Sequence, residues 1–352
     1  MKETLIELKQ FLELRESIPT LDARSEGEFE QGHIPGSTNL PILNNEERKI
    51  VGTIYKQKGN QEAVLKGFEL VGPRFHAIIQ KALLLFPEKR ILTYCWRGGM
   101  RSEIMSWLLS MAGFEILRLK GGYKTYRTLT YETVRAKRDF IVLGGKTGVG
   151  KTVLLQGLKK MGESVIDLED LAKHKGSSFG GIGQLPQPSI EHFENLLAEE
   201  FFKIPLSEKI WIENESRRIG KVNLADELYA NIIASPLIEI IKSEPERISH
   251  IVEEYAVLPQ NELLEAVKRL QKKLGGKRTS DAVEDIIEHR HSSWIANMLV
   301  YYDKTYGYEL ENHKHKRDQT FQLNLTNTDL KESVQQLLAI KNIIQWKNKL
   351  SG

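Results

Sequence analysis

Ile91-Leu92-Thr93-Tyr94-Cys95-Trp96-Arg97-Gly98-Gly99-Met100-Arg101-Ser102 is an apolar run that ends on the chain's one cysteine, followed by a short glycine-containing loop with two arginines. The run reads as a buried strand, and Ser102 to Ala112 reads as a helix stopped by Gly113. A strand, a tight loop and a helix start in this order bring loop N–H groups and the positive end of the helix to one point. Trp96, Arg97, Gly98, Gly99, Met100, Arg101 and Ser102 therefore form an expected anion-binding loop. With Arg97 and Arg101 beside it, Cys95 is expected in the thiolate form, which acts as a nucleophile.

Further along, Phe140-Ile141-Val142-Leu143 precedes a second glycine-rich segment. Gly145, Lys146, Thr147, Gly148, Val149, Gly150, Lys151 and Thr152 fit G-x-x-x-x-G-K-[ST] at every fixed position. An apolar strand stands before them, and an amphipathic helix from Val153 to Met161, closed by Gly162, stands after. Backbone N–H groups of Gly148 to Lys151 would surround a diphosphate, Lys151 would neutralise it, and Thr152 could hold a magnesium ion. Asp167, at the end of the strand-like Ser164 to Asp167, is a candidate metal- or water-positioning acid. So are Glu213 and Glu215 in the strand-like Lys209 to Arg218, with Glu213 the stronger. Between these strands Lys173 to Gly183 is a basic, glycine-rich loop of a kind that folds over a ligand.

Length and composition bound the rest. A chain of 352 residues, 40% hydrophobic and 28% charged, is expected to form about two or three cored domains. No run of eighteen apolar residues occurs, and Met1-Lys2-Glu3-Thr4 is expected to lead into an amphipathic helix, Leu5 to Leu14, with no signal sequence. A cytoplasmic protein without membrane contact is the expectation. One cysteine excludes an internal disulfide and a cysteine-built zinc site, and the nine histidines lack ligand spacing, so no structural metal is expected.

Alternating strands and helices make the chain α/β. The expected division is a first domain over 1–130, a charged connector over 131–139, and a P-loop domain with a parallel sheet over 140–352. The last part turns helical: Ser243 to Glu246 is a capping box, and helices are expected near Glu246 to Tyr255, Asn261 to Leu274 and Ser280 to Tyr301. Lys268, Arg269, Lys272, Lys273, Lys277 and Arg278 form one basic cluster and His313 to Arg317 a second. Two concentrated patches on a chain of net charge +3 could track a phosphate backbone or be solvated helix faces. The polar stretch between Pro41 and Gly72 is either a solvated helix pair or an insertion that covers a substrate.

Three separated motifs carry a resemblance. Thr20 to Phe29 with Gly32 to Ser37, the Cys95 loop, and Lys120-Gly121-Gly122-Tyr123 behind the strand-like Glu115 to Leu119 occur in the order of a rhodanese domain. The chain resembles one from about residue 4 to about residue 130. It departs from sulfur-transferring rhodaneses in one respect: five residues, against their usual four, separate Cys95 from Arg101. The wider loop is that of cysteine phosphatases and suits a tetrahedral oxyanion.

The rhodanese-like domain joined to a P-loop NTPase-like domain, with Trp211-Ile212-Glu213-Asn214-Glu215-Ser216, resembles the tRNA 2-selenouridine synthase family over essentially the whole chain. The resemblance implies a transferase that replaces the sulfur of wobble 2-thiouridine in tRNA by selenium through a geranylated intermediate. Its substrates would be selenophosphate and geranyl diphosphate, with a perselenide on Cys95 and a selenophosphate-producing enzyme as a partner. The P-loop would bind geranyl diphosphate, ATP or a tRNA phosphate. Phe179, Phe193, Phe201 and Trp211 could line a geranyl tunnel or simply form core. The alternatives are a cysteine phosphatase or arsenate reductase, and a P-loop kinase with an idle rhodanese domain.

Overall fold

A computed structural model describes residues 3–346 apart from 315 and 318, with only the backbone of Lys314. The chain forms two compact units. The first holds residues through Thr133 together with Ser189–Glu199; the second holds Val134–Pro188 and everything from Glu200 on. The expected connector over 131–139 is therefore redrawn. Its first half continues a helix to Arg135, its end already belongs to a strand, and a segment of the expected P-loop domain packs with the first unit.

The first unit runs β1 (Glu3–Ile6), α1 (Leu8–Leu14), β2 (Thr20–Asp22), α2 (Glu26–Gln31), β3 (Thr38–Asn39), α3 (Asn45–Lys58), α4 (Asn60–Val71), α5 (Phe75–Leu85), β4 (Arg90–Tyr94), α6 (Met100–Met111), β5 (Glu115–Leu119) and α7 (Gly122–Arg135). The strands form one parallel sheet in the order β1-β5-β4-β2-β3. β4 is buried from Ile91 to Tyr94, as a central strand covered on both faces must be. Ile91 and Ile116 pack with Met105 and Leu109 of α6 on one face, and Leu92 and Leu117 with Phe11 on the other. Residues Glu3–Ile6 are a strand, where the sequence suggested the approach to a helix. They pair with Ile116–Leu119, a contact more than a hundred residues away that no local periodicity can announce. The stretch after Pro41 is a helix pair, α3 opened by the reciprocal capping of Asn44 and Glu47.

The second unit continues with β6 (Asp139–Gly145), α8 (Lys151–Lys160), β7 (Val165–Ile166), α9 (Leu168–Ala172), α10 (Ile190–Phe202, mostly in the first unit), β8 (Lys209–Glu213), β9 (Arg218–Ile219), β10 (Val222–Asn223), α11 (Asp226–Ala234) and β11 (Leu237–Ile241). There follow α12 (Glu244–Tyr255), α13 (Gln260–Arg269), α14 (Gln271–Leu274), α15 (Gly276–Ile287), α16 (His291–Lys314), β12 (Thr320–Asn324) and α17 (Leu330–Ile343). Its main sheet is parallel, ordered β12-β11-β6-β8-β7, with β9 and β10 as a separate antiparallel pair. The C-terminal part is not wholly helical, because β12 returns to the sheet beside β11.

The expected helix from Ser280 to Tyr301 is two helices. His289 takes φ +56°, and Asp285 accepts from Ser293 Oγ at 2.6 Å and Arg290 Nε at 2.7 Å, which fixes the break. Likewise Asn261 to Leu274 divides at Leu270. Helices α12 to α16 enclose their own core, including Leu263, Val267, Leu274, Trp294 and Met298. Among the described residues no helix is long and apolar enough to cross a membrane.

Candidate functional site

Cys95 leaves the end of β4 almost fully buried, 3% exposed. Its Sγ lies 3.1 Å from Ser102 Oγ and 3.6 Å from the Gly99 carbonyl, and Ser102 Oγ donates to that carbonyl at 2.9 Å. Two features hold the loop. The Cys95 and Trp96 carbonyls accept from Tyr123 N at 2.8 Å and Lys124 N at 2.9 Å, and Arg118 donates to the Gly98 carbonyl. Gly122 sits at φ +61°, where an added Cβ would lie 2.3 Å from Cys95 O and 2.4 Å from Gly98 N. The Gly121-Gly122 turn is thus the floor on which the thiol loop rests, and only glycine fits there. Helix α6 starts at Met100, two residues before the expected start; no side chain caps it, and the Gly99 carbonyl accepts from Ser102 N at 3.0 Å and Glu103 N at 3.1 Å.

The two arginines divide. Arg97 is exposed and forms no ion pair among the described residues. Arg101, expected to hold an anion, is bonded to Glu28 at 2.5 and 3.2 Å. Burial would raise the Glu28 carboxyl, but the hydrogen bond and charge of Arg101, with Arg48 at 2.9 Å, hold it below the usual range. Sequence reasoning missed Glu28, and also the buried Asp22–Arg24 pair, whose guanidinium lies 3.9 Å from the Tyr123 ring centre. The D-x-R spacing in Asp22-Ala23-Arg24 was the only available signal. Trp96 and Met100 stand 36% and 43% exposed at the rim.

In the second unit Gly145, Gly148 and Gly150 take φ of +140°, +86° and +81°, and Gly150 caps α8 in the left-handed region. Added Cβ atoms would strike Ile240 O and Arg247 O at 2.8 and 2.7 Å from the first two, so the loop's shape is set by close backbone approach. Thr147, Gly148, Gly150, Lys151 and Thr152 border a cavity of about 250 Å³ with Glu169, Glu215 and Tyr306. Lys151 Nζ lies 3.5 Å from the Gly145 carbonyl. Lys146 is drawn to Asp303 at 3.2 Å, Thr147 O accepts from Arg247 Nε at 2.8 Å, and Val149 is core.

The acids separate by role. Asp167 caps α9, accepting from Asp170 N at 2.8 Å. Glu213, in register with Leu143 of β6, is 3% exposed; its Oε1 accepts from Glu169 N at 3.1 Å, while Oε2 has no partner. Burial first, then the Asp167 charge, pushes the Glu213 carboxyl well above its ordinary range. Glu215 lines the cavity and is raised by burial against the opposing Lys151 charge. Glu169, which sequence reasoning missed, is pushed up to about 8 by burial and the neighbouring Glu215 charge. Of the two, Glu169 is the carboxyl that burial and its neighbour's charge hold toward the protonated form. No three acidic, histidine or cysteine side chains among the described residues converge on a metal. Of the residues expected to hold a magnesium ion beside a diphosphate, Thr152 borders the cavity, whereas Glu213 does not and its burial favours the protonated form.

Lys268, Arg269, Lys272, Lys273, Lys277 and Arg278 are all exposed on α13 to α15, and none pairs with a carboxylate among the described residues. In the second cluster Lys316 is exposed, while two other described residues are engaged. Arg317 turns inward to the Ile232 carbonyl at 2.9 Å and to Asn214, and the His313 ring packs on Tyr229, while His315 lies outside the described residues. Phe179, Phe193, Phe201 and Trp211, the candidate tunnel, are 0–4% exposed core side chains.

Two family models match separate parts of the chain. The family described as "tRNA 2-selenouridine synthase AAA domain" matches residues 138–337, and "Rhodanese-like domain" matches residues 4–129. A tRNA 2-selenouridine synthase of Sulfurovum sp. is 37% identical, covering 83% of this chain and 89% of that protein. One from Pseudomonas putida is 34% identical over 84% and 88%, and one from Nitrosomonas europaea 33% identical over 81% and 86%.

Proposed function

The chain belongs to the tRNA 2-selenouridine synthase family, and we propose that it replaces the sulfur of wobble 2-thiouridine in tRNA by selenium, in two steps. The observation that carries the reading is the Cys95 thiol, the only one in the chain, seated beside Ser102 in an anion loop.

In the first step the P-loop cavity binds geranyl diphosphate. The thiocarbonyl sulfur attacks C1 of the geranyl group, the C–O bond breaks, and diphosphate leaves onto the loop amides and Lys151. The Glu169–Glu215 pair stands where it can take the proton that the base loses at N3. A diphosphate fits the small cavity, and Tyr255, Tyr302 and Ile251 supply apolar surface beside it.

In the second step the Cys95 thiolate attacks selenium of selenophosphate held by the loop amides and Arg97. An S–Se bond forms and the Se–P bond breaks with its electron pair going to phosphorus, which departs as phosphite, so the phosphorus of selenophosphate is the two-electron oxidant. The perselenide then adds to C2 and expels geranylthiol, and a thiol reductant breaks S–Se to release the nucleoside. The five-residue Cys95–Arg101 spacing favours a second reading, attack on phosphorus. That forms an S–P bond, frees selenide and needs no redox partner. Intact-protein mass spectrometry separates the two, because only a perselenide shows the selenium isotope envelope.

The exposed cations of α13 to α15 hold the tRNA backbone. The test is nucleoside mass spectrometry of tRNA from cells lacking this protein and complemented with wild type or Cys95→Ser. Wild type should restore 2-selenouridine and Cys95→Ser should not. Restoration by the serine variant would refute the role of the thiol.

A further inference from the structure

Helix α3 contains no fully buried residue, although it carries Val51, Ile54 and Tyr55. Such a helix normally buries an apolar stripe against a neighbour. Here the stripe faces α4 and the start of α6 across a cavity of about 400 Å³ in the first unit. Val51, Tyr55, Val64, Phe68, Met100 and Ile104 supply its apolar wall, with Tyr55 58%, Phe68 44% and Met100 43% exposed. Arg48, Lys56 and Arg101 also border it; Glu28, outside the lining, pairs with both arginines, and Lys56 forms no ion pair among the described residues. The size is that of a small-molecule site. Met100 and Arg101, the first residues of α6, follow directly on the loop that cups Cys95, so the cavity adjoins that loop.

An apolar cavity with Lys56 at its border and the Glu28-paired Arg48 and Arg101 beside it suits a hydrocarbon chain carried on a polyanion. We propose that this cavity holds the geranyl chain of the S-alkylated tRNA base while selenium is delivered at the Cys95 loop. This deepens, and rests on, the geranylated intermediate of the proposed function. The chain would anchor the base next to the thiol and receive the leaving thiol once the C2–S bond breaks. The elements α3 and α4 thereby belong to the substrate site.

The test uses the full-length protein and two synthetic anticodon stem-loops, one bearing S-geranyl-2-thiouridine and one S-methyl-2-thiouridine, with selenophosphate as donor. Gly52 borders the cavity, and a Cβ added there meets nothing within 4 Å. Gly52→Leu therefore fills the space and also favours the helix. Wild type should prefer the geranyl substrate, and Gly52→Leu should lower the geranyl-to-methyl rate ratio at least about tenfold, the loss expected when roughly two chain carbons stay in water. Phe68→Ser, at an exposed position, provides a second variant with the same expected direction. An unchanged ratio in both folded variants would overturn the cavity assignment while leaving the intermediate intact. Failure of wild type to convert either alkylated substrate would overturn the geranylated intermediate, and the cavity assignment with it.

Discussion

Replacing Glu169 by Gln should remove a specific pH dependence from the stability of the second unit. In the folded protein burial and the Glu215 charge push the Glu169 carboxyl from its ordinary 4.5 to about 8. The unfolded chain therefore gives up this proton earlier than the folded one as pH rises. The stability tied to it is complete below about 4.5 and is lost progressively up to about 8. In the middle of that window the folded state holds nearly one proton more, a slope of about 1.4 kcal/mol per pH unit. Between about pH 5 and about pH 7 wild type should therefore lose up to about 3 kcal/mol relative to Glu169→Gln, which keeps the shape and carries no titrating proton. The coupled Glu215 charge makes this a ceiling. Urea unfolding at several pH values, read by pulsed hydrogen exchange on β6 and β8, follows the second unit by itself. A wild-type minus variant difference that stays constant to within about 0.5 kcal/mol over this range would show that Glu169 carries no such proton, well below the slope expected. It would also remove the Glu169–Glu215 pair from the proposed base.

Other expectations follow from the same geometry. Gly122→Ala forces a Cβ to 2.3 Å from the Cys95 carbonyl at φ +61°, and should abolish selenium loading on Cys95 and lower the melting temperature; intact mass and calorimetry read both. Lys151→Ala should slow geranylation much more than it slows selenium loading, measured as separate half-reactions; equal loss in both would assign Lys151 a structural or tRNA-binding role. Changing Lys268, Arg269, Lys272 and Lys273 together to Gln should weaken tRNA binding and flatten the slope of log affinity on log salt by up to about 0.7 to 0.9 for each phosphate that is no longer neutralised. An unaltered slope in a binding titration would move the tRNA site off this face.

The sequence by itself determined the two sheets' central strands and the loops that follow them. Ile91 to Tyr94 and Phe140 to Leu143 are apolar runs that bury on both faces, and each is followed by a glycine, Gly98 or Gly145, whose added Cβ would lie 2.8 Å from a backbone oxygen. Such signals are local, so they survive in one dimension. The six cations on α13 to α15 were legible for the same reason, being close neighbours in the chain. What only the tertiary structure decided rests on contacts between distant residues. Edge strands β1 and β12 exist because β5 and β11 offer them partners. Arg101 turns to Glu28, 73 residues away, and Arg317 to Asn214, 103 away, because a buried or half-buried guanidinium takes the nearest oxygen acceptor, wherever the chain supplies it. Glu169 meets Glu215 and Lys151 only once β7 and β8 lie side by side. The apolar cavity against the Cys95 loop arises from the spacing between α3, α4 and α6, a distance set by packing and absent from any pattern along the chain.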